Sequence, residues 1–289
     1  MCRLLGLLGG SPGSAEEWLV RSPRSLLAQS NVTPDTAQKD GWGIAWSRPG
    51  AALHLERGVG GAYEPGEVDR FRAAAAAARG TVTLGHLRHA SNPMNLPRGR
   101  LIGVENSQPF AEGAWVFAHN GMIPLPRETR PKLGDLEKRI HGVNDSEVFF
   151  VLLQRELAQH PNPPEAYGRA VAELLTVWEE QGRPTPEPYS GLNLVLSGRP
   201  DELWVLCHWR GEHGSGLLDA GRPYYQMTYR ADAQHLLAGS EPFDTGPGWR
   251  SIGNGEWVHG RLEHGLVAVE TGRIPLPPPP APQPAAVRR

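Results

Sequence analysis

Cysteine is scarce in this 289-residue chain, which has only Cys2 and Cys207. One disulfide would do little at this length, so a disulfide-stapled secreted scaffold is excluded. Long apolar runs are also missing. The longest strongly apolar stretch is Val148-Phe149-Phe150-Val151-Leu152-Leu153, far short of the roughly 18 residues of a membrane span. The leucine-rich start, Leu4-Leu5-Gly6-Leu7-Leu8, is too short for the roughly 7–15-residue apolar core of a secretory signal. Glu16 and Glu17 follow it soon after, and a cytoplasmic protein is expected. Excess charge of either sign is absent: 29 Lys and Arg against 31 Asp and Glu give a net charge of −2. Neither nucleic acid nor an anionic membrane is therefore an expected partner.

Two cofactor signals fail as well. Gly58-Val59-Gly60-Gly61 lacks the Lys-Ser/Thr and the following helix of a phosphate loop. His86 and His89 would point to opposite faces of a strand, with no Cys or carboxylate set beside them. No metal and no cofactor is expected.

What the chain does have is an ordinary globular composition, 39% hydrophobic and 21% charged, cut into short elements by 35 Gly and 28 Pro. Strands are expected over residues 41–46, 81–88, 115–119, 192–197, 203–208, 224–229, 235–239 and 266–270. Each is rich in β-branched or aromatic residues and bounded by Gly, Pro or Asn. Helices are expected over residues 15–29 (interrupted at Pro23), 67–79, 146–160 and 164–181, the third capped by Asp145 or Ser146. Grouped strands with helices between the groups indicate an α+β or layered fold. Cys207, within Leu203-Trp204-Val205-Leu206-Cys207, is read as a small buried hydrophobe. One domain over residues 2–272 is expected, then a Pro-rich, extended and disordered tail over 273–289.

The chemistry concentrates in the first half. A cysteine at position two becomes N-terminal if Met1 is removed, and thiol and α-amine then belong to one residue. With pKa values near 8.5 and roughly 7.7–8.0, the amine can take the thiol proton, so nucleophile and base come together. Four motifs follow. Asp40-Gly41-Trp42-Gly43 is a glycine-flanked aromatic that allows close backbone approach. Gly85-His86-Leu87-Arg88-His89-Ala90-Ser91 delivers an arginine, suited to clamp a carboxylate, at a strand end. His119-Asn120-Gly121 can supply two oxyanion donors, the Asn amide and a Gly N–H. Asn144-Asp145-Ser146-Glu147 places an acid at a helix start, where it can receive an ammonium. Singly these are a hairpin turn, a cap and a surface cation. Together they make a complete site for an α-amino acid with a side-chain amide.

In this order the five elements resemble the class II glutamine amidotransferases, N-terminal-nucleophile hydrolases with a four-layer αββα sandwich. The resemblance implies Cys2 as nucleophile with its α-amine as base, and Asn120 and Gly121 as the oxyanion hole. It implies Arg88 on the substrate α-carboxylate and Asp145 on the α-amino group, with Trp42, Gly43, His89 and Ser91 also against the substrate. His89 departs from the Trp common after the family arginine, and Ser91 from the common Thr. The expected substrate is glutamine or another γ-glutamyl amide. Ammonia chemistry would then need a separate synthase partner, and a homodimer follows only by analogy. A second reading, similar to the γ-glutamyl hydrolase of ergothioneine biosynthesis, is cleavage of a larger γ-glutamyl conjugate. A third, of another class, is a non-catalytic amino-acid-binding regulatory module.

Overall fold

The computed structural model describes residues 2–278. Its strands are β1 (Arg3–Ser14), β2 (Trp42–Ser47), β3 (His54–Gly58), β4 (Arg79–Leu87), β5 (Phe110–Glu112), β6 (Trp115–Gly121), β7 (Leu192–Ser197), β8 (Glu202–Cys207), β9 (Thr228–Ala231), β10 (His235–Gly239), β11 (Arg250–Ser251), β12 (Glu256–Glu263) and β13 (Leu266–Arg273). The longer helices are α1 (Glu67–Ala77), α2 (Asp145–Leu157) and α3 (Pro163–Glu180).

Side-chain alternation decides the layers. In β1, Leu4 and Leu8 face one way, Leu5 and Leu7 the other, and all four are buried. A strand with two apolar faces belongs in the middle of a stack. The first sheet has the order β11-β9-β10-β1-β4-β2-β3, and the second β13-β12-β8-β7-β6-β5. Every named pairing in them is antiparallel. Leu4, Leu8, Val82 and Leu84 of the first sheet meet Val116, Val195, Leu203 and Val205 of the second in a shared core. On the outer side of the first sheet, Leu5, Trp42, Ile44 and Leu87 pack against Phe71 and Ala75 of α1 and against Leu19 and Leu26. On the outer side of the second, Phe117, Leu194, Leu196 and Leu206 pack against α2 and α3. The result is the four-layer αββα sandwich.

Several local expectations are corrected. The leucines weighed as a signal segment are β1, a central strand. A Cβ at Gly6 would stand 3.1 Å from Val195 and 3.2 Å from Leu203, so glycine lets the sheets close together there. The strand expected over 224–229 starts only at Thr228, because Tyr224 and Tyr225 belong to the preceding loop. Strand β12 was not anticipated at all. The helix expected over 15–29 is two short helical pieces, Glu17–Arg21 and Leu26–Gln29, parted around Pro23. The cap of α2 is Asn144, whose side chain accepts from the Ser146 N–H at 2.9 Å. That shift leaves the Asp145 carboxylate free for other partners. Packing also continues past residue 272: Ile274 is buried in the core beside α2 and α3, and the Pro275 carbonyl lies against Gly168. The remainder of the expected tail, residues 279–289, lies outside the described residues, as does Met1.

Candidate active site

The β1–β4 register pairs Arg3 with Leu87, so the next residue on each strand, Cys2 and Arg88, meet at the sheet end. Cys2 shares the inter-sheet face of Leu4 by strand alternation. Its thiol is bracketed by the backbone of His89, whose N–H lies 3.5 Å and whose carbonyl 3.6 Å from Sγ. Burial pushes the Cys2 thiol up; the His89 N–H and Arg88 oppose it.

Arg88 is held rather than loose. Its backbone exchanges hydrogen bonds with the Asp40-Gly41 segment, and its guanidinium donates to the carbonyls of Asp40 at 3.0 Å and Leu101 at 2.8 Å. Burial lowers its pKa, with Cys2 and Asp40 acting the other way. Asp40 in turn accepts from the Ala90 N–H at 2.8 Å and from Arg98 at 2.6 Å, tying the segment after β4 into place.

The Asp145 carboxylate, in the first turn of α2, accepts from Ser91 Oγ at 2.9 Å and from the Ile123 N–H at 2.8 Å. Burial pushes its carboxyl up, while these two donors and Arg88 pull it down. Asn120 follows Val116 and Ala118 on the inter-sheet face of β6, and its buried Oδ1 has no hydrogen-bond partner. At Gly121 any Cβ would run into the Gly191 carbonyl, so only glycine permits this approach of β6 to the residue before β7. Cys2, Arg88, His89, Ser91, Gln108 and Gly121 line one cavity of about 10 Å³, room for a single water.

A family model described as glutamine amidotransferases class-II matches residues 1–262. The chain belongs to that family. It is 25% identical, over 92% of its length and 99% of the relative's, to the γ-glutamyl-hercynylcysteine sulfoxide hydrolase of Mycolicibacterium smegmatis. It is 32% identical over 101 residues to an amidophosphoribosyltransferase of Methanothermobacter thermautotrophicus, 34% of this chain but only 20% of that protein. The glutamine–fructose-6-phosphate aminotransferase of Bradyrhizobium diazoefficiens is 28% identical over 60% of this chain and 25% of its own length. Among solved structures, a glutamine aminotransferase class-II domain protein from Silicibacter pomeroyi superposes with a TM-score of 0.62 at 20% identity. That match covers 94% of this chain and 99% of the other, and it speaks for the fold alone.

Within this amidotransferase fold, Asn120 and Asp145 are not among the residues that line the cavity, Asp145 reaching it through Ser91 Oγ, and two further expected substrate contacts, Trp42 and Gly43, lie elsewhere. Trp42 is on the opposite face of β2: its ring packs edge-on against Phe71, and Nε1 donates to Glu67 Oε2 at 2.6 Å. It is a packing residue, because β2 turns residues 42, 44 and 46 toward α1. Gly43 faces inward but lies against the Gln108 carbonyl, giving room for the Gln108 segment rather than for a ligand. His89 lines the cavity, with Nδ1 occupied by the Ala37 carbonyl at 3.2 Å.

The sequence reading passed over a supporting network. Gln108 Oε1 accepts from the His119 N–H at 2.6 Å, and His119 Nδ1 lies 2.9 Å from Ser146 Oγ. These bonds tie the β6 strand that carries Asn120 and Gly121 to the Gln108 segment and to α2. The signal available was the Gln108-Pro109-Phe110 stretch and the His-Asn-Gly motif, but only the fold joins them. Burial lowers the His119 pKa to about 3, so the ring is neutral at physiological pH. Among the described residues no group of three or more His, Cys, Asp or Glu could hold a metal ion, and no helix is long and apolar enough to cross a membrane.

Proposed function

We propose that this chain hydrolyses a γ-glutamyl amide, with Cys2 as its nucleophile after removal of Met1. The observation that carries the reading is the convergence of the Cys2 thiol, Arg88, Ser91 and Gly121 on one cavity, with Asp145 bonded to Ser91. In this reading the freed α-amine takes the thiol proton, and Sγ attacks the amide carbon. The C–N bond breaks and the amine departs with the proton, leaving a γ-glutamyl thioester. Water then attacks that carbonyl, releasing glutamate and restoring the thiol. The Asn120 amide and the Gly121 N–H face the oxygen that becomes negative, Arg88 binds the α-carboxylate, and Asp145 the α-ammonium.

Arg88 Nη1 donates to both the Asp40 and the Leu101 carbonyls, and the cavity holds about one water. A glutamyl group is far larger than one water, so substrate binding requires the walls of this cavity to move apart.

The coextensive relative that hydrolyses a γ-glutamyl conjugate supports a substrate larger than glutamine. The partial matches to two glutamine-using transferases support a second reading, in which glutamine is the donor and ammonia passes to a synthase partner. The test is to determine the intact mass of the purified protein and to assay glutamate release from glutamine and from γ-glutamyl alkylamides. Loss of Met1, with glutamate release that disappears in Cys2→Ala, is the expected result. Retained Met1 and no release from any amide would overturn the reading and favour a binding module.

A further inference from the structure

Beside the Cys2 cavity lies a much larger one. It occupies about 520 Å³, within the roughly 300–1,000 Å³ of small-molecule sites, and is formed by the loop between β8 and β9. Trp209, Glu212, His213, Arg222, Tyr224 and Tyr225 are among its walls. Three rings stand edge to face in a row: His213 on Tyr225 at 4.8 Å and Tyr225 on Tyr224 at 5.2 Å.

Two chains of contacts run between the walls of the two cavities. The Arg3 guanidinium, one residue after Cys2, lies 4.6 Å from the centre of the Tyr224 ring. On the other side Gly121, which lines the Cys2 cavity, abuts the Gly191 carbonyl, and Gly191 abuts the Tyr225 ring. The loop is also fixed. Glu241, 2% exposed, accepts from the Leu217 and Leu218 N–H groups and pairs with the buried Arg3 at 3.2 Å. The carboxylate therefore bolts this loop to the residue beside the nucleophile. Arg222 turns its guanidinium toward the Gln226 and Met227 carbonyls, at 3.0 and 3.2 Å.

We propose that this second cavity receives the leaving amine of the γ-glutamyl substrate, and that the amine carries an aromatic ring. The inference rests on the hydrolase reading above and adds the substrate class. The glutamyl end is claimed by Arg88 and Asp145, so the other side of the scissile bond must point away from them, toward Tyr224 and Tyr225. Ammonia needs no such room. A planar ring fits walls of Trp209, His213 and tyrosine faces and edges. When Sγ–C forms and C–N breaks, the amine accepts the proton from the α-ammonium and leaves into this cavity.

The test compares γ-glutamyl-benzylamide with γ-glutamyl-methylamide, both alkylamine leaving groups. The wild-type chain should prefer the benzylamide in kcat/KM by about tenfold or more, and Trp209→Ala and Tyr224→Ala should each erase most of that preference. Hydrolysis of both amides without preference, or a preference untouched by both variants, would overturn the aromatic pocket and leave the hydrolase reading intact. Chemical-shift titration with benzylamine is independent of turnover. Shifts at the loop residues, lost in Trp209→Ala, would support the pocket even if no amide were cleaved; their absence in a folded wild-type chain would count against it. Circular dichroism of each variant separates loss of binding from loss of fold.

Discussion

Replacing His86 by leucine should remove a defined part of the acid sensitivity of the fold. His86 lies on β4 facing the inter-sheet space and is completely buried. Burial, with Arg88 and His119 beside it, lowers its pKa from 6.5 to about 3. A group depressed in the folded state stabilises fully above its unfolded pKa, and that stability drains away as pH falls, because only the unfolded chain takes up the proton. Between pH 7 and pH 5 the loss from this one histidine is about 2 kcal/mol, at roughly 1.4 kcal/mol per pH unit below 6.5. His119, also near 3, adds a similar loss. Urea unfolding of wild type and His86→Leu at several pH values between 5 and 8 measures the effect. The difference between pH 7 and pH 5 should shrink by about 2 kcal/mol in the variant, whatever its absolute stability. Identical pH dependence in the two proteins would refute the neutral buried imidazole.

Asn120→Ala should lower kcat by a barrier of about 2–4 kcal/mol with little change in KM, measured as glutamate release; an unchanged kcat would remove Asn120 from the oxyanion hole. Trp42→Phe loses the 2.6 Å bond to Glu67 and should cost about 1–2 kcal/mol in denaturant unfolding. KM should stay within about twofold, and a large rise would return Trp42 to the substrate site. Gly121→Ala forces a Cβ against the Gly191 carbonyl and should destabilise by about 1–3 kcal/mol while impairing turnover, so an unshifted melting temperature would contradict the close approach.

Much of the chain could be read in one dimension. The elements over 192–197, 203–208 and 235–239 are dense, apolar and punctuated, and they appear within a residue or two of expectation. The His-Asn-Gly and Gly-His-Leu-Arg-His-Ala-Ser motifs identified residues that the fold brings to one cavity. Other elements gave weak local signals. Strand β1 is two-thirds glycine and leucine, and its strand character comes from neighbours β4 and β10 on both sides. Strand β12, with the sequence Glu-Trp-Val-His-Gly-Arg-Leu-Glu, is held by pairing with β8 and β13 rather than by propensity.

By itself, then, the sequence determined which chemical groups are present, in which order, and where most backbone segments favour strand or helix, because those properties are local. The tertiary structure alone decided direction and company. It turned Trp42 outward onto Phe71, gave the cap of α2 to Asn144, and seated the Arg88 guanidinium on the Leu101 carbonyl. It also placed the Tyr224–Tyr225 wall beside Arg3 and Gly191. Each of these depends on contacts between residues far apart in the chain, and strand register and layer packing set such contacts.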